Sequence, residues 1–415
     1  MFFYNLLWII TSILVLSISI YYTIKLKGIW FNIFKMIKEI KKKDKGEIKT
    51  FKILSLSLAA RIGIGSLAGT AFALLVGGAG AIFWMWVTTL FTISLTYVES
   101  MLGNIYHKKN KDIYIGGPSY YIKDGLGYNK LSIVYSILII LGYIVGFMSI
   151  QANTITNVVY DFIHIDKFII GIIISILCGS VIIGGVKEIT NITSRLVPVM
   201  SLFFIIVSLY ILIINYDKLF DIFCFIIKSG FNFDSFRVGA LTSFITGIQR
   251  SIFASESGIG TSAIISALAK NNPKKQGFIQ IIGVYFTIFI IVSLTAFVIL
   301  LSNVNLVGSG ISITSNAYSY FLGNFGTITI IITIILFGIS TIISGYYYGE
   351  SNLFNICKKD YSMYLKIITI IILLISSIIS SSILWYITDI FVAFLAVINI
   401  YSLYKLRRVV FLEGK

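Results

Sequence analysis

The run Gly63-Ile64-Gly65-Ser66-Leu67-Ala68-Gly69 interrupts an apolar segment from about Phe51 to Val76, and Ala254-Ser255-Glu256-Ser257-Gly258-Ile259-Gly260-Thr261 interrupts a second one from about Thr242 to Lys270. The core of a bilayer offers no water to unpaired backbone groups. A non-helical patch at membrane depth must therefore line a protected cavity. Two such patches in corresponding places indicate the substrate and ion site of a secondary transporter.

The composition indicates a polytopic membrane protein. Of the 415 residues, 12% are charged, whereas soluble domains have about 25% charged residues. The net charge of +16 does not indicate a nucleic-acid partner, because the lysines fall in short loops between apolar segments. The three cysteines have no metal-ligand spacing and both histidines lie in loops, so neither a metal site of the zinc type nor an enzyme is expected.

A hydropathy window of about 19 residues predicts eleven membrane spans. They are 3–23, 53–77, 80–105, 131–157, 168–186, 196–215, 242–268, 278–302, 326–350, 363–383 and 385–405. The first lacks the basic start and small-residue cleavage site of a signal peptide and is interpreted as a retained span. Lysine and arginine are concentrated in every second loop, which predicts an external N-terminus and a cytoplasmic C-terminus in the cell membrane.

This topology divides the chain into five parts. They are an extra N-terminal span (1–27), a basic amphipathic cytoplasmic segment (28–50), a first repeat of five spans (51–217), an external loop with a second repeat of five spans (218–405), and a basic tail (406–415). The two interrupted spans lie five spans apart and run in opposite directions, which is typical of an inverted repeat. The basic segment is predicted to lie on the anionic inner leaflet, with a solvated lysine run as the alternative.

The chemistry of an interrupted span favours a zwitterion carried with a cation. Freed amides and the positive end of a half-helix suit a carboxylate, whereas freed carbonyls and hydroxyls suit sodium. Close packing of helices through small residues is the alternative explanation of the glycines.

The motifs around the two runs resemble those of the alanine or glycine:cation symporter family. They include Leu58-Ala59-Ala60-Arg61-Ile62-Gly63-Ile64-Gly65, Ile82-Phe83-Trp84-Met85-Trp86, Gly116-Gly117-Pro118-Ser119-Tyr120-Tyr121, Gln249-Arg250-Ser251-Ile252-Phe253-Ala254-Ser255-Glu256 and Tyr347-Tyr348-Gly349-Glu350. The resemblance is collinear from about residue 55 to 400. It implies an all-α, LeuT-type fold of five plus five inverted spans with one extra N-terminal span. It also implies sodium- or proton-coupled uptake of a small neutral amino acid.

The resemblance also implies a set of site residues. Those expected to contact the substrate or shape its pocket are Gly63, Gly65, Ser66, Gln151, Ile252, Phe253, Gly258, Gly260 and Gly345. Those expected to hold sodium are the carbonyls of Ala60 and Gly63 and the hydroxyls of Ser340 and Thr341. Two alternatives stay open: Gln151 can serve a helix–helix hydrogen bond, and the hydroxyls can bond back to their own helix.

Three positions depart from the family pattern: Ile64 stands where the family has Thr, Ser66 where it has Asn, and Gly345 where it has Trp. The missing indole predicts a pocket for something larger than alanine, unless Tyr346 to Tyr348 fill the space. Charged residues in the spans need partners, and position suggests that Arg250 pairs with Glu256.

The leading interpretation is a secondary symporter that imports a small neutral amino acid with sodium. The altered pocket positions keep a second hypothesis open, a transport-inactive amino-acid-binding sensor or degenerate paralogue. A channel is disfavoured because no filter-like motif is visible. The sequence leaves open which amino acid binds, whether sodium or protons drive transport, and the oligomeric state.

Overall fold

The computed structural model describes residues 2–41, 48–111, 113–231, 239–270, 272–357 and 359–413. Almost all of this chain is helical. The helices up to residue 214 are α1 (Phe2–Lys25), α2 (Ile33–Ile40), α3 (Thr50–Arg61), α4 (Ile64–Ile105), α5 (Pro118–Tyr120), α6 (Asn129–Ile140), α7 (Met148–Ile163), α8 (Lys167–Ile183) and α9 (Gly185–Ile214). Those that follow are α10 (Tyr216–Phe231), α11 (Gly239–Ser255), α12 (Thr261–Ala267), α13 (Pro273–Tyr285), α14 (Ser293–Ser302), α15 (Gly310–Leu322), α16 (Asn324–Ile356), α17 (Ser362–Ser376), α18 (Ser381–Lys405) and α19 (Arg407–Glu413).

Shorter elements join some of these helices. A 3-10 turn covers Ile29–Phe31, and π-helical segments cover Tyr121–Gly125, Leu141–Phe147 and Phe286–Val292. The strands β1 (Lys108–Asn110) and β2 (Ile113–Ile115) form one antiparallel hairpin in which Lys108 pairs with Ile115. Two of the π segments lie inside apolar helical stretches, between α6 and α7 and between α13 and α14.

Within the described residues, seven helical stretches are long and apolar enough to cross a membrane. They are Phe3–Lys25, Thr50–Ile105, Asn129–Ile163, Gly185–Ile214, Pro273–Ser302, Asn324–Ile356 and Ser382–Lys405. The shorter apolar helices Lys167–Ile183 and Ser362–Ser376 cover two further predicted spans. The chain is thus a multi-pass membrane protein, whereas the count of eleven spans stays a prediction.

The stretch Thr50–Ile105 accounts for two of the predicted spans. Its 56 residues would measure about 84 Å as one helix, far more than the roughly 30 Å of a bilayer core. The helix is interrupted at Ile62 and Gly63, and α4 bends at Gly78, whose φ of 65° and ψ of −170° are not helical. Positive φ is tolerated there because glycine has no Cβ.

The helices on either side of the glycine breaks pack against several other helices. Helix α4 contacts α11, α12 and α13, whereas α16 contacts α3, α7 and α9. Two helices were not foreseen in the connecting segments, namely α10 and α15. Helix α15 packs tightly on α4, since a Cβ atom at Gly310 would lie 2.2 Å from the carbonyl oxygen of Ala68.

The basic segment after α1 is only partly described, because residues 42–47 lie outside the described residues. Trp30 is completely buried and packs against Tyr97 at a ring distance of 6.3 Å. Phe31 and Phe34 are exposed, Phe34 by 89%. Of the three aromatic residues of this segment, Trp30 therefore packs in the protein core, whereas Phe31 and Phe34 lie on the outer surface.

Candidate functional site

The first glycine-rich run interrupts the helix where the sequence predicts it. Helix α3 ends at Arg61 and α4 begins at Ile64. A Cβ atom at Gly63 would lie 2.5 Å from Thr341 Oγ1 and 3.3 Å from Gln151 Oε1. Glycine is required at this position because α7 and α16 both approach the unwound backbone. The structure thus brings together three residues that the sequence singled out separately.

Gln151 caps the half-helix that starts after the break. Its side chain is 1% exposed, and its Oε1 accepts a hydrogen bond from the backbone N–H of Ile64 at 3.0 Å. That N–H is among those that a helix start leaves without an intrahelical partner. The predicted hydroxyl of Ser66 is used locally, since it donates to the Gly63 carbonyl at 2.7 Å.

The ring of Phe253 covers the first break. A Cβ atom at Gly65 would lie 2.7 Å from Phe253 Cε1. The ring packs against Phe147 and Trp385, with centroid distances of 4.6 Å and 5.2 Å. Ile252 is fully buried, and its side chain points about 100° around α11 from that of Phe253. Of the two predicted wall residues, Phe253 is the one in contact with the break.

The altered position Gly345 faces α7 and the π segment before it. The atoms nearest to a Cβ atom there are Met148 Cγ and Tyr143 Cδ1, both at 3.5 Å. Tyr143 stacks on Phe147 at 4.5 Å, and Phe147 in turn stacks on Phe253. Gly345 therefore lies behind the aromatic row that covers the break. Local π-helical geometry often marks functional sites. Here the π-helical segment Leu141–Phe147 contains two of these aromatic residues, Tyr143 and Phe147.

The second break lies between α11 and α12 and has a different character. Glu256, Gly258 and Gly260 adopt φ values of 53°, 88° and 96°, in the left-handed region that favours glycine. Gly258 faces α4 and α18 rather than the first break. Its carbonyl accepts a hydrogen bond from Asn399 Nδ2 at 2.8 Å. Gly258 thus shapes the unwound turn without approaching the residues around Gly63.

Glu256 is held by three hydroxyl groups. Its carboxylate accepts hydrogen bonds from Tyr143 at 2.7 Å, Thr261 at 2.9 Å and Tyr348 at 3.3 Å. The predicted pairing with Arg250 is wrong, because Arg250 pairs with a different carboxylate, that of Asp389. A carboxylate buried in a membrane span needs several hydrogen-bond donors. The tyrosines Tyr143 and Tyr348 in other spans were candidates for this role in the sequence.

Arg250 pairs instead with Asp389 of α18. The Nη2 to Oδ2 distance is 2.6 Å, and both side chains are at least 96% buried. The guanidinium lies over three aromatic rings, those of Phe72 at 4.9 Å and of Phe253 and Trp385 at 5.4 Å. This ion pair and its rings form a layer beyond Phe253, so the first break is closed on that side.

Arg61 connects the two breaks. Its Nε donates to the carbonyl of Ser255 at 2.9 Å, and its Nη2 donates to Ser262 Oγ at 2.5 Å. A further bond from Nη1 reaches Gln280 Oε1 at 3.1 Å. The last residue of α3 thus holds both the end of α11 and the start of α12.

The hydroxyls expected to hold sodium meet a carbonyl of the first broken span. Ser340 and Thr341 donate to the Ala59 oxygen at 3.3 Å and 2.9 Å, and to the Phe337 oxygen at 2.8 Å and 2.9 Å. Bonding back along α16 accounts for the bonds to Phe337, but not for those that cross to α3. The carbonyl at this meeting point belongs to Ala59, one residue before the expected Ala60.

The end of α3 explains this shift of one residue. The bond from the Ile62 N–H to the Leu58 oxygen, at 2.7 Å, closes the last turn. In a continued helix the Ala59 oxygen would receive the N–H of Gly63, which the break removes. The Gly63 oxygen, the other expected ligand, already accepts the N–H and the hydroxyl of Ser66. Four neutral oxygens from α3 and α16 therefore converge, a donor set that suits a hard monovalent cation.

Beyond the aromatic layer there is a small polar-rimmed cavity of about 80 Å³. Phe72 and Trp385 line it, and Asn157 and Thr154 contribute polar groups. Gly310, at the start of α15, lines it as well. Trp385 thus contacts both this cavity and Phe253, the residue that covers the first break.

The whole chain matches a known family. The model of the sodium:alanine symporter family matches residues 1–415. The chain is 32% identical to the probable sodium/glutamine symporter GlnT of Bacillus subtilis over 98% of its own length and 87% of the relative. It is 30% identical to the sodium/alanine symporter AgcS of Methanococcus maripaludis, covering 90% of this chain and 84% of that one.

The fold is shared with solved transporter structures. MhsT in complex with L-phenylalanine aligns with a TM-score of 0.62 over 86% of this chain and 89% of that chain, at 13% sequence identity. At this level of identity the likeness concerns the fold alone, which is the LeuT type expected from the sequence.

Proposed function

The chain belongs to the sodium:alanine symporter family, and from this premise we propose that it imports a small neutral amino acid together with sodium by alternating access. Symport of an amino acid with a cation is the activity that the family and the relatives AgcS and GlnT have in common. The observation that carries the proposal is the meeting of Gly63, Gln151 and Thr341 at one break. A helix-start amide and a group of carbonyl and hydroxyl oxygens lie side by side there.

The amide of Ile64 is the proposed anchor of the substrate carboxylate. It points from the positive end of α4, and its partner within the described residues is the neutral Gln151 oxygen, which it would release. The Gln151 amide can then donate to the same carboxylate through its nitrogen. Phe253, which covers Gly65, forms the lid over the bound molecule. Ser66, Ile252 and Gly258 support this site through the backbone and packing.

Sodium is proposed to bind where the Ala59 and Phe337 carbonyls meet the hydroxyls of Ser340 and Thr341. A cation there would link α3 to α16. Because Thr341 also stands beside Gly63, an ion at this place fixes the backbone that presents the substrate anchor. Sodium binding and substrate binding would then favour each other by the same factor, because coupling between two binding sites is reciprocal.

The substrate is proposed to be alanine, glycine or a larger neutral amino acid. The space beside Gly345 is bounded by Tyr143 and Met148 at van der Waals distance, and these are side chains that can shift. The names of the relatives GlnT and AgcS include both a larger and a smaller neutral amino acid. The pocket position that departs from the family pattern is therefore the place where substrate size is expected to be set.

The proposed orientation has the N-terminus outside and the basic C-terminal tail in the cytoplasm. It rests on the lysines and arginines of alternate loops. Under this orientation the ion pair of Arg250 and Asp389 closes the outer side of the site. The exposed Phe31 and Phe34, with the lysines of α2, would contact the anionic inner leaflet.

Uptake into proteoliposomes tests the proposal. Each neutral amino acid is supplied with an inward sodium gradient, with an inward potassium gradient, and with a proton gradient alone. We expect uptake above equilibrium only with sodium. Absence of sodium-driven uptake for every amino acid, together with thermal stabilisation by one of them, would instead identify a binding-only sensor.

Two matched variants locate the ion. Thr341→Val keeps the side-chain volume but removes the hydroxyl beside Ala59, whereas Ser344→Ala removes a hydroxyl that bonds only within α16. We expect the first to raise the sodium concentration for half-maximal uptake by about tenfold, since a hydrogen-bonding or ligand group is worth about 1.4 kcal/mol. The second should leave it within about twofold.

A further inference from the structure

One carboxylate oxygen in the interior receives three donors from two other helices. Oδ2 of Asp389, on α18, accepts bonds from Arg250 Nη2 at 2.6 Å and Gln249 Nε2 at 2.9 Å, both from α11. It also accepts the hydroxyl of Tyr4, from α1, at 2.7 Å. Gln249 Nε2 donates to the Tyr4 oxygen as well, at 2.5 Å. The extra N-terminal helix therefore closes a ring of hydrogen bonds around the ion pair.

We propose that α1 is a working part of the outer gate, with Tyr4 as a positioning residue that holds Asp389 against Arg250 and favours the closed state. The proposal rests on the transport function proposed above. It assigns a role in the gate to the span that precedes the two five-span repeats.

The ion pair depends on the hydrogen bonds from Tyr4 and Gln249 because it has few other hydrogen-bond partners. Among the described residues, Arg250 Nε, Arg250 Nη1 and Asp389 Oδ1 are buried and have no hydrogen-bond partner. Burying a charged pair is unfavourable unless additional hydrogen bonds satisfy its remaining atoms. The Tyr4 hydroxyl and the Gln249 amide supply these bonds, and both act on the one oxygen that Arg250 contacts.

Tyr4 is positioned by packing as well as by its hydroxyl. Its ring stacks on Tyr386 with a centroid distance of 5.1 Å and an angle of 23°. Tyr386 lies one helical turn before Asp389, so both contacts fall on one face of α18. Farther along α1, the hydroxyl of Tyr22 donates to the Leu403 carbonyl at 2.7 Å. Helix α1 is thus attached to α18 at both ends and reaches α11 through the Tyr4 hydroxyl.

Opening of the gate requires α11 and α18 to separate at Arg250 and Asp389. The bond from Gln249 to Tyr4 is a second connection between these two helices, because Tyr4 is attached to α18. Loss of the Tyr4 hydroxyl removes this connection and one bond to a buried charge. Bonds to charged groups are strong enough to shift a two-state equilibrium by about tenfold or more.

The test measures how often the outer gate opens. In a chain whose three cysteines are replaced by serine, Met148→Cys places a thiol under the aromatic layer, at a fully buried position. A membrane-impermeant thiol reagent is added from outside to sealed vesicles in sodium. Adding Tyr4→Phe should raise the labelling rate by about tenfold. It should also lower the maximal rate of uptake more than it changes the substrate KM, because closure becomes harder.

Two further variants keep the proposal falsifiable. Tyr22→Phe removes the other hydroxyl by which α1 bonds to α18 and should leave the labelling rate within about twofold. In an Asp389→Asn background, Tyr4→Phe should add little, since the two residues share one bond. Equal labelling with and without the Tyr4 hydroxyl would overturn the proposal, and so would an equal increase from Tyr22→Phe. Labelling does not require transport, so this result is independent of whether sodium-driven uptake is found.

Discussion

Replacement of Gly63 by alanine should disable both halves of the site at once. The added Cβ atom would lie 2.5 Å from Thr341 Oγ1, about 0.9 Å short of the 3.4 Å at which ordinary van der Waals contact begins. The Thr341 side chain must rotate away and lose its bond to Ala59, or the backbone must shift. Overpacking of this kind is unfavourable by about 1–3 kcal/mol. We therefore expect the apparent sodium affinity to fall by about tenfold to a hundredfold.

The assay is thermal unfolding of the detergent-purified protein as a function of sodium, followed by uptake in proteoliposomes. Gly69→Ala is the matched control, because Gly69 belongs to the same glycine-rich run and a Cβ atom there has no neighbour within 4 Å. Gly63→Ala combined with Thr341→Ala should regain thermal stability without regaining sodium dependence. A Gly63→Ala protein with unchanged sodium dependence and uptake would refute the reasoning that places the ion beside this glycine.

Three other outcomes are expected. Gly345→Trp should abolish uptake of larger neutral amino acids while sparing alanine, because it fills the space beside Tyr143; a uniform loss of proteoliposome uptake across substrates would contradict this. Glu256→Gln should lower the unfolding temperature, because one hydroxyl loses its acceptor, and its effect should be less than additive with Tyr143→Phe. The Ser362 hydroxyl and a lysine side chain hold the pKa of Asp360 well below its usual range. The stability difference between wild type and Asp360→Asn should therefore be present at neutral pH, begin to narrow as the pH falls below about 4, and be lost only as the pH passes below the lowered pKa of the folded state; a difference that is already lost at pH 4 would count against the pairing.

The positions of the breaks were predictable because they depend on local chemistry. Glycine runs within apolar segments have few explanations in a membrane, and both runs interrupt a helix in the structure. The LeuT-type fold followed from the order of motifs along the chain. Polar residues such as Gln151 and Thr341 were identifiable because the resemblance to the family implies a site role at their positions.

The partners themselves were not predictable, because they depend on helix register and on contacts between distant spans. A shift of one residue exchanges Ala60 for Ala59 as the carbonyl beside Thr341. Arg250 lies close in sequence to Glu256, yet its carboxylate partner, Asp389, is 139 residues away. Nothing in a single sequence indicates that α1 would carry Tyr4 to the same carboxylate.

The hydrogen bonds of Arg61 have a consequence for the ratio in which a symporter of this kind transports sodium and amino acid. The guanidinium follows the proposed ion ligand Ala59 by two residues and holds the carbonyl of Ser255 and the hydroxyl of Ser262. The two broken spans are therefore joined directly by hydrogen bonds of one side chain, and a movement of the first span moves the second. Slippage is transport of the ion without the amino acid. It would require the buried guanidinium of Arg61 to break its hydrogen bonds to these neutral acceptors in a low-dielectric interior, which is unfavourable for a charged group. A fixed ratio of sodium to amino acid would then depend on the side chain of Arg61. The expected defect of Arg61→Lys is a leak of sodium without substrate.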